Sequence, residues 1–159
     1  MRQLISIFVS IVILEAGAFG AAAPASITQA EAESFVRAFY HDMEGDDLDK
    51  VMTHFDSTVH YYNFGAKNQS YVRSDLGQYC NSYPSRSFSI GEIKMKPLPN
   101  ADGVSVKFDI RFFIRSPERD RTRAGRSHVE WDLTKRDGAL KITRFDGSAA
   151  TEPGASPSK

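Results

Sequence analysis

The sequence has a single cysteine, Cys80, and no excess charge of either sign. One cysteine excludes an intramolecular disulfide and a cysteine-rich zinc site, so packing and hydrogen bonds must hold the fold together. The 20 Lys and Arg residues balance 20 Asp and Glu residues, which argues against a protein that binds nucleic acid mainly by neutralising phosphates. With 159 residues, 41% of them hydrophobic, the chain is long enough for one globular core and too short for two.

Long hydrophobic runs are also scarce, and the only one lies at the N-terminus. Residues 4–14 are apolar apart from two serines, and Glu15 and an alanine-rich stretch follow. A basic start, a short apolar segment and small residues together predict a secretory signal peptide over residues 1–25. Its cleavage would give a periplasmic or secreted protein with no stable membrane insertion. An uncleaved anchor is the alternative, but the run is short and Glu15 interrupts it.

Apolar residues at three- and four-residue spacing predict three helices. Their predicted ranges are 29–43, 48–57 and 70–81. Thr28, with Glu31 three positions later, forms a capping box in front of the first helix, and Pro84 follows the third. Residues 59–64 are β-branched and aromatic and predict a short strand between the second and third helices.

The second half of the chain alternates between apolar and polar residues, which is typical of half-buried antiparallel strands. The predicted strands cover residues 88–95, 104–115, 129–133 and 140–145. A charged loop is expected over residues 116–125 and a hairpin turn at Arg136-Asp137-Gly138. We therefore predict an α+β domain over residues 28–147, with three N-terminal helices packed on an antiparallel sheet of about five strands. Residues 148–159 have no aliphatic anchor and predict a disordered tail.

Short motifs in the first half of the domain carry a family resemblance. They are Phe35-Val36-Arg37-Ala38-Phe39-Tyr40, Gly45-Asp46-Asp47-Leu48, Val59-x-Tyr61-Tyr62-x-x-Gly65, Val72-x-x-Asp75-x-x-x-Tyr79 and Tyr83-Pro84-x-Arg86-x-Phe88. With them the chain resembles the nuclear transport factor 2-like (SnoaL-like) superfamily, and within it an exported bacterial branch with no established activity. That branch usually has Trp where this chain has Tyr83. The resemblance implies a cone-shaped fold, in which a strongly curved sheet wraps the helices and leaves a pocket beside the first helix.

The superfamily includes ketosteroid isomerases, dehydratases, polyketide cyclases and epoxide hydrolases, so enzymatic activity has to be considered. Isomerase chemistry needs an Asp base together with a Tyr and a protonated Asp that bind the developing oxyanion. The corresponding positions are Phe39, beside Tyr40, and then Asn63 and Val129. Phe, Asn and Val cannot transfer the proton, so we expect no isomerase chemistry and assign no catalytic residue.

A proton-transfer or metal set built from histidines and acids is a second way to an enzyme. The available residues are His54, His60, His128, Asp109, Glu130 and Asp132. His128, Glu130 and Asp132 alternate with the apolar residues of their strand, so they belong to the outer face of the sheet. We predict a solvated polar face, with no metal and no cofactor. Cys80 has no evident base partner and is expected to be inert.

Aromatic residues are concentrated on elements that would line or close the cone. The candidate ligand-binding residues are Phe39, Tyr40, Tyr61, Asn63, Tyr83, Phe108, Phe112 and Trp131. They favour a non-catalytic binding or accessory module for a small apolar or aromatic ligand. Two alternatives stay open, a small lyase, isomerase or hydrolase that uses the same pocket, and a structural dimerisation module whose cone is filled by these side chains.

Charge is unevenly spread although it sums to zero. Residues 31–60 carry eight acids against two basic residues, whereas residues 111–126 carry six arginines against Glu118 and Asp120. The basic segment could attract anionic polymers or the acidic part of a second copy, but the favoured explanation is a flexible hairpin loop kept soluble by its charge. In relatives the outer sheet face often forms a homodimer, and the polar residues on that face here are compatible with one.

Overall fold

A computed structural model describes residues 26–99 and 102–151 of the chain. Its three helices are α1 (Gln29–Glu44), α2 (Leu48–Thr53) and α3 (Gln69–Ser82). The three predicted helices are confirmed, although the second ends at Thr53, earlier than expected, because Phe55 already belongs to a strand. The predicted signal peptide lies outside the described residues. Among those that are described, no helix is long and apolar enough to span a membrane.

Seven strands in the described part of the chain form one mixed sheet. They are β1 (Phe55–Tyr61), β2 (Ala66–Asn68), β3 (Ser85–Ile90), β4 (Lys94–Pro97), β5 (Gly103–Ser116), β6 (Arg121–Arg136) and β7 (Ala139–Thr151). The strand order is β2-β1-β7-β6-β5-β3, and β4 also pairs with β5. The β1–β7 pair is parallel and the other pairs are antiparallel. The α+β class is confirmed, but the expectation of an antiparallel sheet of about five strands was wrong, because the sheet has seven strands and the β1–β7 pair is parallel.

Local backbone geometry explains the extra strands. The segment predicted as one strand over residues 88–95 is divided into β3 and β4, because Ile90 and Lys94 are four positions apart while their partners Ile110 and Lys107 on β5 are three positions apart. This extra residue is a bulge, and it accounts for the imperfect alternation of the sequence. The strand β2 has only three residues, too few for any periodic pattern.

The long β5–β6 hairpin corrects two further expectations. The predicted charged loop over residues 116–125 is mostly strand, with only a short 3₁₀ turn at Pro117–Arg119 between β5 and β6. The strand β7 continues to Thr151, which pairs with Gly125, so residues 148–151 are not the disordered tail that was predicted. Strand pairing satisfies backbone groups whatever the side chains are, which is why a segment without aliphatic anchors joins the sheet. Residues 152–159 lie outside the described part.

The capping box at the start of α1 is confirmed. The Thr28 hydroxyl accepts a hydrogen bond from the Glu31 amide at 3.2 Å, and the Glu31 carboxylate accepts one from the Thr28 amide at 2.8 Å. The Lys135 ammonium lies 2.8 Å from the same carboxylate and ties α1 to β6. Lys135 and then Thr28 lower the pKa of Glu31 to about 2. The start of α1 is therefore fixed on the sheet.

The core lies between α1 and the concave face of the sheet. The buried face of α1 consists of Ala32, Val36, Phe39, Tyr40 and Met43. Along β5 the even-numbered residues from Val104 to Ile114 point inward, as the alternation predicted. On β6 the inward residues nearest the base of the cone are Val129, Trp131 and Leu133, all at most 4% exposed. This end of the cone is filled by large side chains.

Candidate ligand-binding cavity

The other end of the cone is open. The inward positions of β6 continue from Val129 to Ser127, Gly125 and Arg123, which face Ile110, Phe112 and Ile114 of β5. Ser127 and Gly125 have little or no side chain, so they do not fill the space that Trp131 and Leu133 occupy further along the strand. A cavity of about 380 Å³ results, a size typical of small-molecule sites.

Aromatic and apolar side chains from α1, β1, α3 and the sheet make up most of the cavity wall. The lining residues are Phe39, Tyr40, Met43, Tyr61, Tyr62, Asp75, Leu76, Tyr79, Tyr83, Phe88, Ile110, Phe112, Ile114, Arg123, Ser127 and Phe145. Phe145 connects this wall to the core, because its ring stacks on Tyr61 at 5.5 Å and on Trp131 at 5.2 Å between centroids. The wall is thus supported by the packed end of the cone.

The structure brings five of the eight predicted ligand-binding residues to this cavity. They are Phe39, Tyr40, Tyr61, Tyr83 and Phe112. Asn63 is exposed in the turn after β1 and does not line the cavity. Phe108 and Trp131 are 2% and 0% exposed and belong to the filled end, where Trp131 packs on Phe39 and Tyr40. Ligand binding by the five residues stays a prediction.

Tyrosine hydroxyls are the main polar groups of the cavity wall. The Tyr61 hydroxyl donates a hydrogen bond to the Asp75 carboxylate at 2.7 Å. The hydroxyls of Tyr40, Tyr62 and Tyr79 make no hydrogen bond within the described part of the chain. A polar group placed in an apolar wall without a partner costs free energy, so these hydroxyls are available to a ligand.

The cavity keeps these tyrosines in the neutral form. Burial raises the pKa values of Tyr40, Tyr61 and Tyr62, and the neighbouring Tyr62 and Tyr79 raise that of Tyr40 further. The hydrogen bond to Asp75 also raises the pKa of Tyr61, because it stabilises the protonated phenol. Burial raises the pKa of Tyr79 to about 12. At physiological pH each of these side chains is a hydrogen-bond donor.

Two charged side chains line the cavity in the described structure, Asp75 and Arg123. Asp75 is exposed on α3, and the Arg123 guanidinium lies over the ring of Tyr83, with 5.9 Å to the centroid. No histidine of the described residues lines the cavity. His128 lies 2.8 Å from Asp109 on the outer face, as expected, and His54 lies 2.8 Å from Asp42 behind Phe39.

Several lining residues were missed by the sequence analysis although signals for them exist. Asp75 and Tyr79 are four residues apart, so they share one face of α3. Arg123 follows from extending the alternation of Val129 and Trp131 backward in steps of two. The interpretation of residues 116–125 as a loop concealed this position.

A buried arginine on β3 holds the helices that form the cavity wall. The side chain of Arg86 is 0% exposed. Its guanidinium donates hydrogen bonds to the carbonyls of Met43 and Gly45 at the end of α1, and to those of Cys80 and Tyr83 at the end of α3. These carbonyls have no partner further along their helices, so Arg86 satisfies both helix ends at once.

Solved structures of low sequence identity share this fold. A candidate scytalone dehydratase from Novosphingobium aromaticivorans is 13% identical, with a TM-score of 0.67 over 76% of this chain and 82% of that one. A candidate dehydratase of the NTF2-like family from Streptomyces avermitilis is 10% identical, with a TM-score of 0.67 over 77% and 97%. The hexachlorocyclohexane dehydrochlorinase LinA-type3 from Novosphingobium barchaimii is 11% identical, with a TM-score of 0.62 over 79% and 92%.

Sequence comparisons add nothing to this likeness, since no protein-family model and no curated protein matches the chain. At such low identities the solved structures show the fold alone. They support the nuclear transport factor 2-like (SnoaL-like) fold that the sequence motifs implied.

Proposed function

We propose that this chain, which has the nuclear transport factor 2-like fold, is a small-molecule-binding domain for a planar apolar or aromatic ligand. The observation that carries this proposal is the aromatic-lined cavity of about 380 Å³ at the open end of the cone. Flat rings would pack against Phe39, Phe88 and Phe112, while the tyrosine hydroxyls would orient the polar groups of the ligand.

The balance of groups in the cavity favours binding without catalysis. Asp75 is the only acid that lines it in the described structure, and its carboxylate already accepts the Tyr61 hydrogen bond. General acid–base catalysis needs a group within reach of the substrate whose pKa is near the working pH. The raised pKa values of the tyrosines move them away from that range. We further propose export to the periplasm or beyond, and a homodimer through the outer sheet face.

The substitution Phe112→Ala tests the binding proposal. We expect it to weaken binding of naphthalene-2-carboxamide about tenfold, because a ring that packs on the ligand is lost. Isothermal titration would measure the dissociation constant. Phe113→Ala is the matched control, since Phe113 is the next residue, lies on the opposite face and is 48% exposed. Equal binding by the wild-type protein and both variants would place the ligand outside the cavity and contradict the proposal.

One contact favours a second candidate function, a small lyase, isomerase or hydrolase. The short Tyr61–Asp75 hydrogen bond places a carboxylate and a phenol side by side at the cavity. In that case Asp75 would be the base, and Asp75→Asn should lower the rate of water loss from β-hydroxy ketones about 100-fold or more. Mass spectrometry of the incubated compounds would measure it, with Asp49→Asn as the control, because the Asp49 side chain on α2 is 80% exposed. If the wild-type protein is no faster than Asp75→Asn, this candidate function is eliminated.

A further inference from the structure

Three hydroxyl groups in the cavity wall have hydrogen-bond donors that are not used within the described residues. Tyr40, Tyr62 and Tyr79 line it with hydroxyls that have no partner within the described residues. The Ser127 hydroxyl, in contrast, already donates to the Ser148 carbonyl at 3.0 Å, and that of Tyr61 donates to Asp75. A phenol hydroxyl can also accept a hydrogen bond, but its proton needs an acceptor, so a ligand that uses these three donors carries acceptor oxygens.

A positive charge stands in the same wall. Arg123 is the only basic side chain that lines the cavity in the described structure, and it forms no ion pair there. Its guanidinium instead lies over the face of Tyr83. An arginine fork held on an aromatic ring keeps its edge free to bind a carboxylate through two parallel hydrogen bonds.

The surroundings of Arg123 are also basic. The wall at this end of the cavity is the β5–β6 hairpin, whose residues 111–126 carry six arginines and two acids. Arg111 and Arg115 occupy odd-numbered positions of β5 and point to the outer face, while Arg121 is exposed at the tip of the hairpin, opposite Ser116. Clustered charges of one sign raise the local concentration of small counter-ions and speed their association. Arg123 is the arginine of this basic segment that lines the cavity in the described structure.

The acid in the cavity lies on a different element from Arg123. Asp75 is on α3, whereas Arg123 is on the sheet, and the Asp75 carboxylate is held by the Tyr61 hydroxyl. A ligand hydroxyl would suit Asp75, since the carboxylate accepts further hydrogen bonds.

We infer that the cavity selects an aromatic anion, a ring system whose carboxylate binds Arg123 and whose other acceptor oxygens bind the tyrosine hydroxyls. The inference rests on the proposed function and adds the charge of the ligand to it. It assigns to Arg123 the role of a specificity-determining residue.

Two probes of nearly the same shape and different charge test the inference. Isothermal titration would compare naphthalene-2-carboxylate with naphthalene-2-carboxamide. We expect the wild-type protein to bind the carboxylate about tenfold more tightly, because a charge-assisted hydrogen bond is stronger than a neutral one. Added salt should weaken the binding of the carboxylate and leave that of the amide unchanged.

Substitutions in the β5–β6 hairpin test which residue causes the preference for the carboxylate. Arg123→Met should bind both probes equally, and Arg123→Lys should keep part of the preference because it keeps the charge. Arg115→Met is the control, since Arg115 is exposed on the same hairpin and does not line the cavity. It should keep most of the preference. Circular dichroism would verify that each variant is folded.

The outcomes separate the inference from the proposed function. Equal affinity of the wild-type protein for both probes overturns the anionic ligand class and leaves the binding function standing. A carboxylate preference that survives in Arg123→Met overturns the role of Arg123. Failure of the protein to bind either probe overturns the proposed function, and the inference with it.

Discussion

Replacing Arg86 by Met is expected to lower the free energy of unfolding by about 3–5 kcal/mol. The guanidinium is fully buried and satisfies four main-chain carbonyls at the ends of α1 and α3. Met has a similar length but no donor, so these carbonyls would lose their hydrogen bonds away from water. An unsatisfied buried acceptor costs about 1–3 kcal/mol. Such a loss is a large part of the stability of a small domain.

Urea denaturation of the wild-type protein and two variants would measure this effect. Arg73→Met is the matched control, because Arg73 makes an ion pair with Asp49 in which both side chains are about half exposed or more. Exposed pairs of this kind contribute up to about 1 kcal/mol. The loss in free energy of unfolding in Arg86→Lys should lie between those in Arg86→Met and Arg73→Met. The Lys ammonium keeps the charge, but it lacks the planar guanidinium that reaches four carbonyls. A loss in Arg86→Met no larger than that in Arg73→Met would contradict this account of Arg86.

The role of Arg86 shows why a motif can be visible in a sequence while its meaning is not. Tyr83-Pro84-x-Arg86-x-Phe88 was recognisable, and Arg86 lies two and four residues before Phe88 and Ile90, on the same face of β3. A charged residue at the end of such an alternation is ordinarily exposed, so the pattern alone does not predict a buried arginine. The burial of Arg86 follows only from the two helix ends that meet above it, a tertiary arrangement that local patterns do not encode.

The sheet was predictable where side chains alternate and unpredictable where backbone pairing alone decides. The apolar residues from Val104 to Ile114 fixed the inner face of β5. Residues 148–151 have no such pattern, yet they pair with β6. The open end of the cone was hidden for a related reason, because Gly125 was predicted as a loop residue and Ser127 lay outside the predicted strands while their partners on β5 were not known. Five of the predicted ligand-binding residues do line the cavity, because aromatic side chains on core elements face the interior of the fold.

Alkaline pH is expected to unfold the protein through its buried tyrosines. In the folded state Tyr40 and Tyr61 have pKa values raised above the ordinary value of 10.0. Below that pH both states hold the phenol proton, and the tyrosines do not make stability depend on pH. Above it the unfolded chain loses the proton and the folded chain keeps it, so the unfolded state is favoured. Each such tyrosine should lower the free energy of unfolding by about 1.4 kcal/mol per pH unit.

The variant Tyr40→Phe isolates one of these contributions. The Tyr40 hydroxyl has no hydrogen-bond partner within the described residues, so its removal should leave the stability at neutral pH nearly unchanged. Between about pH 10 and 12 the free energy of unfolding of Tyr40→Phe should fall less steeply than that of the wild-type protein. The difference between the two slopes should be about 1.4 kcal/mol per pH unit. Urea denaturation across this range would measure the slope, and the absorbance of the phenolate would follow the titration. Tyr71→Phe, at an exposed position, is the control. Equal slopes for Tyr40→Phe and the wild-type protein would mean that the Tyr40 hydroxyl ionises in the folded state, which requires a cavity far more open to water than the one found here.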